Sequence, residues 1–127
     1  MIASELISYD IPPLKLTDTG AKALEWMEEF KVKDMPVTNK NKYIGMLEET
    51  DVLDRNDIDD KISSYDLNFR KPFVYHAQHV FDAIARMVEH EVDVLPVLNE
   101  NEDYLGLVTT KAIIEFFAKT VSVRSQG

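Results

Sequence analysis

The fold is decided by the stretch Ala23-Leu24-Glu25-Trp26-Met27, which recurs 60 residues later as Ala83-Ile84-Ala85-Arg86-Met87. The same offset aligns Val32 with Val92 and Met35-Pro36-Val37 with Leu95-Pro96-Val97. After a polar turn the offset is one residue longer, and it then aligns Tyr43-Ile44-Gly45 with Tyr104-Leu105-Gly106. Loops tolerate changes of length better than helices and strands do. A match that survives a single insertion in a turn therefore indicates an internal duplication.

Each copy predicts the same elements in the same order. A short apolar strand, at 14–17 or 73–76, precedes a helix whose apolar residues are spaced by three and four. A strand that begins near Pro36 or Pro96 then forms a hairpin with a second strand, which leads into a second helix. The predicted fold class is α/β (α+β), built from tandem β-α-β-β-α repeats with pseudo-twofold symmetry.

The duplication also predicts the domain organisation. Residues 1–127 form one pair, with repeat one at about 1–58 and repeat two at about 59–127. A unit of about 60 residues is marginally stable alone, so we expect the two repeats to pack their sheets face to face. The polar stretch between them is expected to hold a short linking helix near 59–64.

Charge and composition argue against several classes of function. The chain has 23 acidic and 14 basic residues, a net charge of −9, and no cluster of Lys and Arg that would neutralise nucleic acid or an anionic membrane. It has no cysteine and no apolar run of the roughly 20 residues that span a bilayer. We therefore expect a cytoplasmic protein that binds neither nucleic acid nor membrane.

No sequence pattern for catalysis or metal binding stands out. Four glycines are too few for a phosphate-binding loop or a dinucleotide fingerprint, and there is no Ser-His-Asp elbow and no pair of carboxylates on matching elements. The three histidines, His76, His79 and His90, are expected at the surface or at a helix cap rather than on a metal. We expect no enzyme activity, no metal and no required cofactor.

The segments that follow the two hairpins carry a resemblance to a known family. They read Gly45-Met46-Leu47-Glu48-Glu49-Thr50-Asp51 and Gly106-Leu107-Val108-Thr109-Thr110-Lys111-Ala112. Together with the duplicated Pro-Val strands, they resemble the tandem cystathionine β-synthase (CBS) repeats of a Bateman module, and the resemblance covers nearly the whole chain. In that family the pattern is Gly, two apolar residues, Thr or Ser, two variable residues and Asp, and the cleft between the repeats commonly binds adenosine-containing ligands.

The resemblance implies how such a ligand would be held. A hydroxyl residue and the N–H groups at the helix start offer donors to a phosphate, and the Asp one turn later accepts from the ribose. Asp51 matches the ribose carboxylate, but Glu48 takes the hydroxyl position; Thr109 matches the hydroxyl, but Ala112 takes the carboxylate position. A carboxylate about 4 Å from a phosphate oxygen costs on the order of 4 kcal/mol. Nucleotide binding is therefore expected to be weak or absent, and phosphate is expected to favour the second repeat.

The predicted binding residues fall into three groups. The resemblance assigns the ribose to Asp51, the phosphate to Thr109, Thr110 and Lys111, and the flanks of an adenine to Thr17, His76, Pro36, Val37, Pro96 and Val97. Each group has a structural alternative. Asp51 would stabilise a helix N-terminus through its charge, Thr109 would cap a helix, and the strand residues would belong to the core.

The function that the resemblance implies is a regulatory module that senses AMP, ADP, ATP or S-adenosylmethionine and acts on a separate effector protein. Such pairs typically associate through their helices, and aromatic residues on the predicted helices are candidates for a homodimer surface: Trp26, Phe30, Phe116 and Phe117. The alternative is a dimeric interaction or scaffolding domain with no nucleotide bound.

Overall fold

The computed structural model describes residues 1–67 and 70–126, which form six strands, four α-helices and two short 3₁₀ helices. In chain order these are a 3₁₀ helix (Ala3–Leu6), β1 (Leu14–Lys15), α1 (Gly20–Phe30), β2 (Asp34–Asn39), β3 (Lys42–Glu48), α2 (Glu49–Leu53), a second 3₁₀ helix (Ile62–Ser64), β4 (Val74–Tyr75), α3 (Val80–His90), β5 (Val94–Leu98), β6 (Tyr104–Thr109) and α4 (Thr110–Gln126). The predicted order β-α-β-β-α is confirmed in both repeats.

Each repeat contains a three-stranded mixed sheet of the same topology. β1 is parallel to β2 and β2 is antiparallel to β3, and β4, β5 and β6 repeat this arrangement. The register shifts directly after Val37, which faces Gly45, and again directly after Val97, which faces Gly106. Matching irregularities of this kind support the duplication that the sequence indicates.

The first helix of each repeat begins and ends in the same way. The side chain of Thr19 accepts a hydrogen bond from the Lys22 N–H at the start of α1, and His79 Nδ1 accepts one from the Phe81 N–H at the start of α3. Both helices end at a left-handed residue, Lys31 or Glu91. His79 is thus a capping histidine, as predicted.

The segment that precedes the first strand of each repeat packs on the other repeat. At the N-terminus, the Ala3 N–H donates to the Gln78 carbonyl at 2.8 Å, and the Ser8 N–H donates to the Leu107 carbonyl at 2.7 Å. In the linker, Ile62 is fully buried in the core of the first repeat. Residues 1–8 therefore pack against repeat two and residues 60–67 against repeat one, whereas the boundary near residue 58 stays a prediction about the sequence.

Two glycines permit this close crossing. A Cβ at Gly45 would lie 2.6 Å from the carbonyl oxygen of Leu67, and a Cβ at Gly106 would collide with the side chain of Ile7. Since Leu67 and Ile7 are also 60 residues apart, the same crossing occurs twice. Glycine is required at position 45 because the backbone of the linker lies against the strand, and at position 106 because the Ile7 side chain does.

The two repeats share one interior. The core cluster of repeat one, which includes Leu14, Met35 and Leu47, also contains Val94 and Leu107 from repeat two. Strands β2 and β5 contact each other. Each repeat thereby buries apolar surface that it could not bury alone. Within the described part of the chain, no helix has both the length and the apolar character needed to cross a membrane.

Candidate functional site

A cleft of about 720 Å³ opens where the two repeats meet, and we call it the inter-repeat cleft. Its walls come from the N-terminal segment, the end of α1 with the turn that follows it, and the junction of β6 with α4: Ser8, Asp10, Ile11, Glu29, Phe30, Lys31, Val32, Asp93, Thr109, Thr110, Lys111, Ile114 and Glu115. The structure therefore brings the three predicted phosphate-site residues of repeat two, Thr109, Thr110 and Lys111, into one cavity. Its volume suits a small-molecule ligand.

Thr109 is the buried polar residue in the lining of this site. It ends β6, and its Oγ1 accepts a hydrogen bond from the Ala112 N–H at 3.0 Å, which caps α4. The predicted alternative for Thr109, a helix cap, is thus observed. A hydroxyl that accepts in this way still carries one hydrogen to donate. Capping and ligand binding are therefore compatible at this residue.

The next two residues extend the polar end of the cleft. The N–H and the hydroxyl of Thr110 both donate to the Asp93 carbonyl, at 2.9 and 3.3 Å, which fixes the start of α4 against β5. Lys111 Nζ lies 4.0 Å from Glu115 Oε1 in an exposed ion pair. Exposed pairs of this kind are weak, so the ammonium group is free to turn toward an anion.

In repeat one, the equivalent junction is filled by an arginine. Arg70 Nη1 lies 2.8 Å from Glu48 Oε2, and Arg70 Nη2 lies 3.5 Å from Asp34 Oδ1. The equivalents of Glu48 and Asp34 in repeat two are Thr109 and Val94, which pair across β5 and β6 as Glu48 and Asp34 do across β2 and β3. A charged cluster within the chain thus replaces the hydroxyl site that repeat two keeps.

Asp34 is the electrostatically unusual member of this cluster. Burial raises the pKa of its carboxyl to about 6, because the opposing effect of Arg70 only partly compensates for lost solvent. The charges of Glu48 and Asp93 raise that pKa further. Since Asp93 lines the inter-repeat cleft, the cluster and the cleft lie close enough to interact electrostatically.

Asp51, the predicted ribose ligand, stabilises the start of its own helix. Its Oδ2 accepts the Glu48 N–H at 2.8 Å, closing the first turn of α2. This is the helix-stabilising alternative for Asp51. Because Asp51 lies on α2 and the cleft is lined by the start of α4, the structure does not bring Asp51 together with Thr109.

The predicted adenine-flanking residues do not line the inter-repeat cleft. Pro36, Val37, Pro96 and Val97 are buried in the central strands, where β2 and β5 are covered on both faces. Thr17 lines a separate cavity of about 360 Å³ beside the β2–β3 hairpin, and His76 Nε2 lies 2.8 Å from Glu100 Oε1 at the surface.

Within repeat two, His76 and Thr109 lie at opposite ends of β5. β4 pairs in parallel with the far end of β5, so His76 follows Tyr75 beside Leu98, whereas Thr109 pairs with Val94 at the near end. The assignment of Thr17, His76 and the Pro-Val residues to an adenine therefore stays a prediction. Among the described residues, no three His, Asp or Glu side chains gather in a group that could hold a metal ion.

Several residues of the site were not predicted from the sequence. Asp10, Lys31 and Asp93 line the inter-repeat cleft, and Asp34 and Arg70 fill its counterpart. The one available signal was Asp34, a carboxylate in an apolar strand whose equivalent is Val94. Asp10 and Arg70 precede their strands, and only the crossing of the segments brings them to these sites.

Comparison with known proteins identifies the family. The family model described as CBS domain matches twice, over residues 3–57 and 65–119. Inosine-5'-monophosphate dehydrogenase of Methanocaldococcus jannaschii is 25% identical over 116 residues, which are 89% of this chain and 23% of that protein. The chain thus spans about a quarter of the length of this curated relative.

Solved structures share the fold. A CBS domain pair/ACT domain protein of Thermotoga maritima aligns with a TM-score of 0.80 and 21% identity, over 94% of this chain and 98% of that one. CBSX2 in complex with AMP aligns with a TM-score of 0.75 and 20% identity, over 94% and 97% of the two chains. Because the family model covers both repeats and most of the chain, the protein belongs to the CBS domain family and is a CBS pair.

Proposed function

We propose that the chain is a regulatory module that binds one adenosine-type ligand in the inter-repeat cleft. The observation that carries this proposal is the cavity of about 720 Å³ in which Thr109, Thr110 and Lys111 face residues of repeat one. The fold it shares with CBSX2, whose structure contains AMP, supports the ligand class. AMP, ADP, ATP and S-adenosylmethionine are the candidates.

The proposal assigns one ligand to each chain rather than two. In repeat one, Glu48 already pairs with the Arg70 guanidinium, and the buried Asp34 adds a second negative charge. An anionic ligand would have to displace Glu48 and then lie beside Asp34, which like charges oppose. Asp51 accordingly has no ligand to bind in this proposal.

Ligand binding would act by shifting the packing of the repeats. The cleft is lined by both repeats and by the crossing N-terminal segment, so a ligand that prefers one arrangement of the repeats changes the populations. The module would then alter a separate effector protein in the cytoplasm. It would perform no reaction of its own and need no resident cofactor.

A homodimer is part of the proposal. α3 and α4 each expose an apolar stripe at helical spacing, Phe81 and Val88 on α3 and Ile114, Phe117 and Val121 on α4. A groove between the two helices adds Ile84, Met87 and Ile113. Trp26 and Phe30, by contrast, pack against the core of repeat one and contribute less to the surface.

Isothermal titration calorimetry with AMP, ADP, ATP and S-adenosylmethionine tests the proposed function. We expect one equivalent to bind to the wild type, and Thr109→Ala to weaken binding at least about tenfold, since a hydrogen bond to a charged group is worth about 1.5–3 kcal/mol. Thr109→Ser keeps the hydroxyl and the cap and is expected to retain binding. Asp51→Ala, in the other repeat, is the second control.

The outcome distinguishes two functions. Undiminished binding by Thr109→Ala would contradict the site, whereas two equivalents would contradict the assignment of one ligand per chain. Absence of binding by all four ligands would favour the second candidate function, an interaction or scaffolding domain. The observation in favour of that candidate is the filled junction of repeat one, together with Ala112 in place of a ribose carboxylate in repeat two.

A further inference from the structure

The inter-repeat cleft is negatively charged although one end of it is suited to an anion. Four carboxylates line it, from Asp10, Glu29, Asp93 and Glu115, against two ammonium groups, from Lys31 and Lys111. The lining therefore has a net charge of −2.

The positive end of the cleft is small. It consists of the N-terminus of the 17-residue helix α4, the donor hydrogen of Thr109 and the Lys111 side chain. A helix N-terminus carries about half a positive charge, and its effect falls off within the first turn. This end can hold one carboxylate or one phosphate group. Further negative groups on a ligand would meet the carboxylates.

We infer that the inter-repeat cleft selects adenosine-type ligands that carry a cationic group and little net charge, such as S-adenosylmethionine, over nucleoside polyphosphates. This inference rests on the proposed function and specifies its ligand class. The amino-acid carboxylate would bind at Thr109 and Lys111. The ammonium and sulfonium groups would face Asp10 and Asp93, where a triphosphate would be repelled.

Competition between ligands provides the test. Titration calorimetry at low ionic strength measures the dissociation constants of S-adenosylmethionine, S-adenosylhomocysteine, AMP and ATP for the full chain. We expect S-adenosylmethionine to bind at least about tenfold more tightly than ATP, because like charges placed together in an interface cost several kcal/mol. S-adenosylhomocysteine, which lacks the sulfonium charge, is expected to fall between them. Added salt is expected to narrow the difference, since salt screens charges.

A double variant and its control test the role of the cleft carboxylates. The double variant Asp10→Asn with Asp93→Asn is expected to lower the preference for S-adenosylmethionine over ATP at least about tenfold. The control is Asp54→Asn with Asp59→Asn, which removes the same charge from exposed positions in the linker. It is expected to leave the preference within about twofold, because screening is strong at a distance. Thermal melts confirm that both variants fold.

Each failure has a separate meaning. Tighter binding of ATP than of S-adenosylmethionine, or an unchanged preference in the Asp10 and Asp93 variant, would overturn the inference and leave the proposed function standing. Absence of binding by every ligand would overturn both. An equal change in the linker control would show that net charge, rather than the cleft, decides the preference, and would also overturn the inference.

Discussion

At the scale of single residues, the two repeats differ at the junction between the hairpin and the second helix. Position 48 carries a carboxylate and position 109 a hydroxyl, and their partners across the hairpin are Asp34 and Val94. Arg70 balances part of the charge in repeat one. A buried carboxylate whose pKa is raised is stabilised less by its partner than it is destabilised by burial.

Asp34 predicts a specific dependence of stability on pH. Its folded pKa of about 6 lies above the ordinary value of 3.8, so the folded state binds more protons between these values, and the free energy of unfolding falls as pH rises from about 4 to 6. Asp34→Asn removes this titration. As pH rises from 4 to 7.5, we expect the free energy of unfolding of the variant to increase relative to that of the wild type by on the order of 2–3 kcal/mol. Urea denaturation at each pH measures this difference.

The control for this prediction is Asp59→Asn, an exposed linker carboxylate. The free energy of unfolding of this variant relative to wild type is expected to change little over the same pH range, because surface substitutions usually have small effects on stability. Asp34→Val introduces the residue that repeat two has at this position. Its stability is expected to depend on pH in the same way as that of Asp34→Asn. If the free energies of unfolding of Asp34→Asn and wild type differ by the same amount at all pH values, the result would contradict the burial of an ionised Asp34.

At the scale of elements, the crossing segments determine which residues meet. Each hairpin strand receives the segment that precedes the other repeat's first strand: the Ser8 N–H donates to the Leu107 carbonyl, and the Met46 N–H donates to the Arg70 carbonyl. The crossing places Asp10 at the inter-repeat cleft and Arg70 beside Glu48. The character of each cleft is therefore set by residues far away in sequence.

Gly45→Ala tests the crossing directly. The added Cβ would lie 2.6 Å from the Leu67 carbonyl oxygen and 3.2 Å from that of Arg70, so the backbone must move. We expect a loss of about 1–3 kcal/mol in the free energy of unfolding, measured by urea denaturation. Lys119→Ala, at an exposed position on α4, is the control and should stay within about 0.5 kcal/mol. A neutral Gly45→Ala would show that the segment does not lie over β3.

At the scale of the whole molecule, the pair has two surfaces with different roles, and Ile114 belongs to both. The inter-repeat cleft lies where the repeats meet and would carry the ligand. The apolar stripes of α3 and α4 would carry the partner copy. A cleft lined by both repeats responds to their relative position, so a dimer that fixes α3 and α4 would also limit how the cleft changes.

Val88→Glu is predicted to disrupt the homodimer. Val88 is 73% exposed on α3 beside the groove with α4, and a charge placed there would be buried without a partner in a dimer. Light scattering over a range of concentrations is expected to show a dimer for the wild type and a monomer for the variant. Tyr9→Glu, at a 79% exposed position outside the helices, is the control and should remain dimeric. A monomeric wild type at high concentration would contradict the homodimer.

The sequence by itself determined the duplicated β-α-β-β-α fold, because apolar spacing, hairpin turns and the Pro-Val strands are local signals that occur twice at one offset. It also determined the phosphate-binding candidates of repeat two, since Thr109, Thr110 and Lys111 are adjacent in the chain. Only the tertiary structure decided the rest. Thr17 and His76 lie outside the lining of the cleft, and the crossing segments bring Asp10 to the cleft and Arg70 to the equivalent junction of repeat one. Such long-range pairing depends on how the chain packs, which no local pattern records.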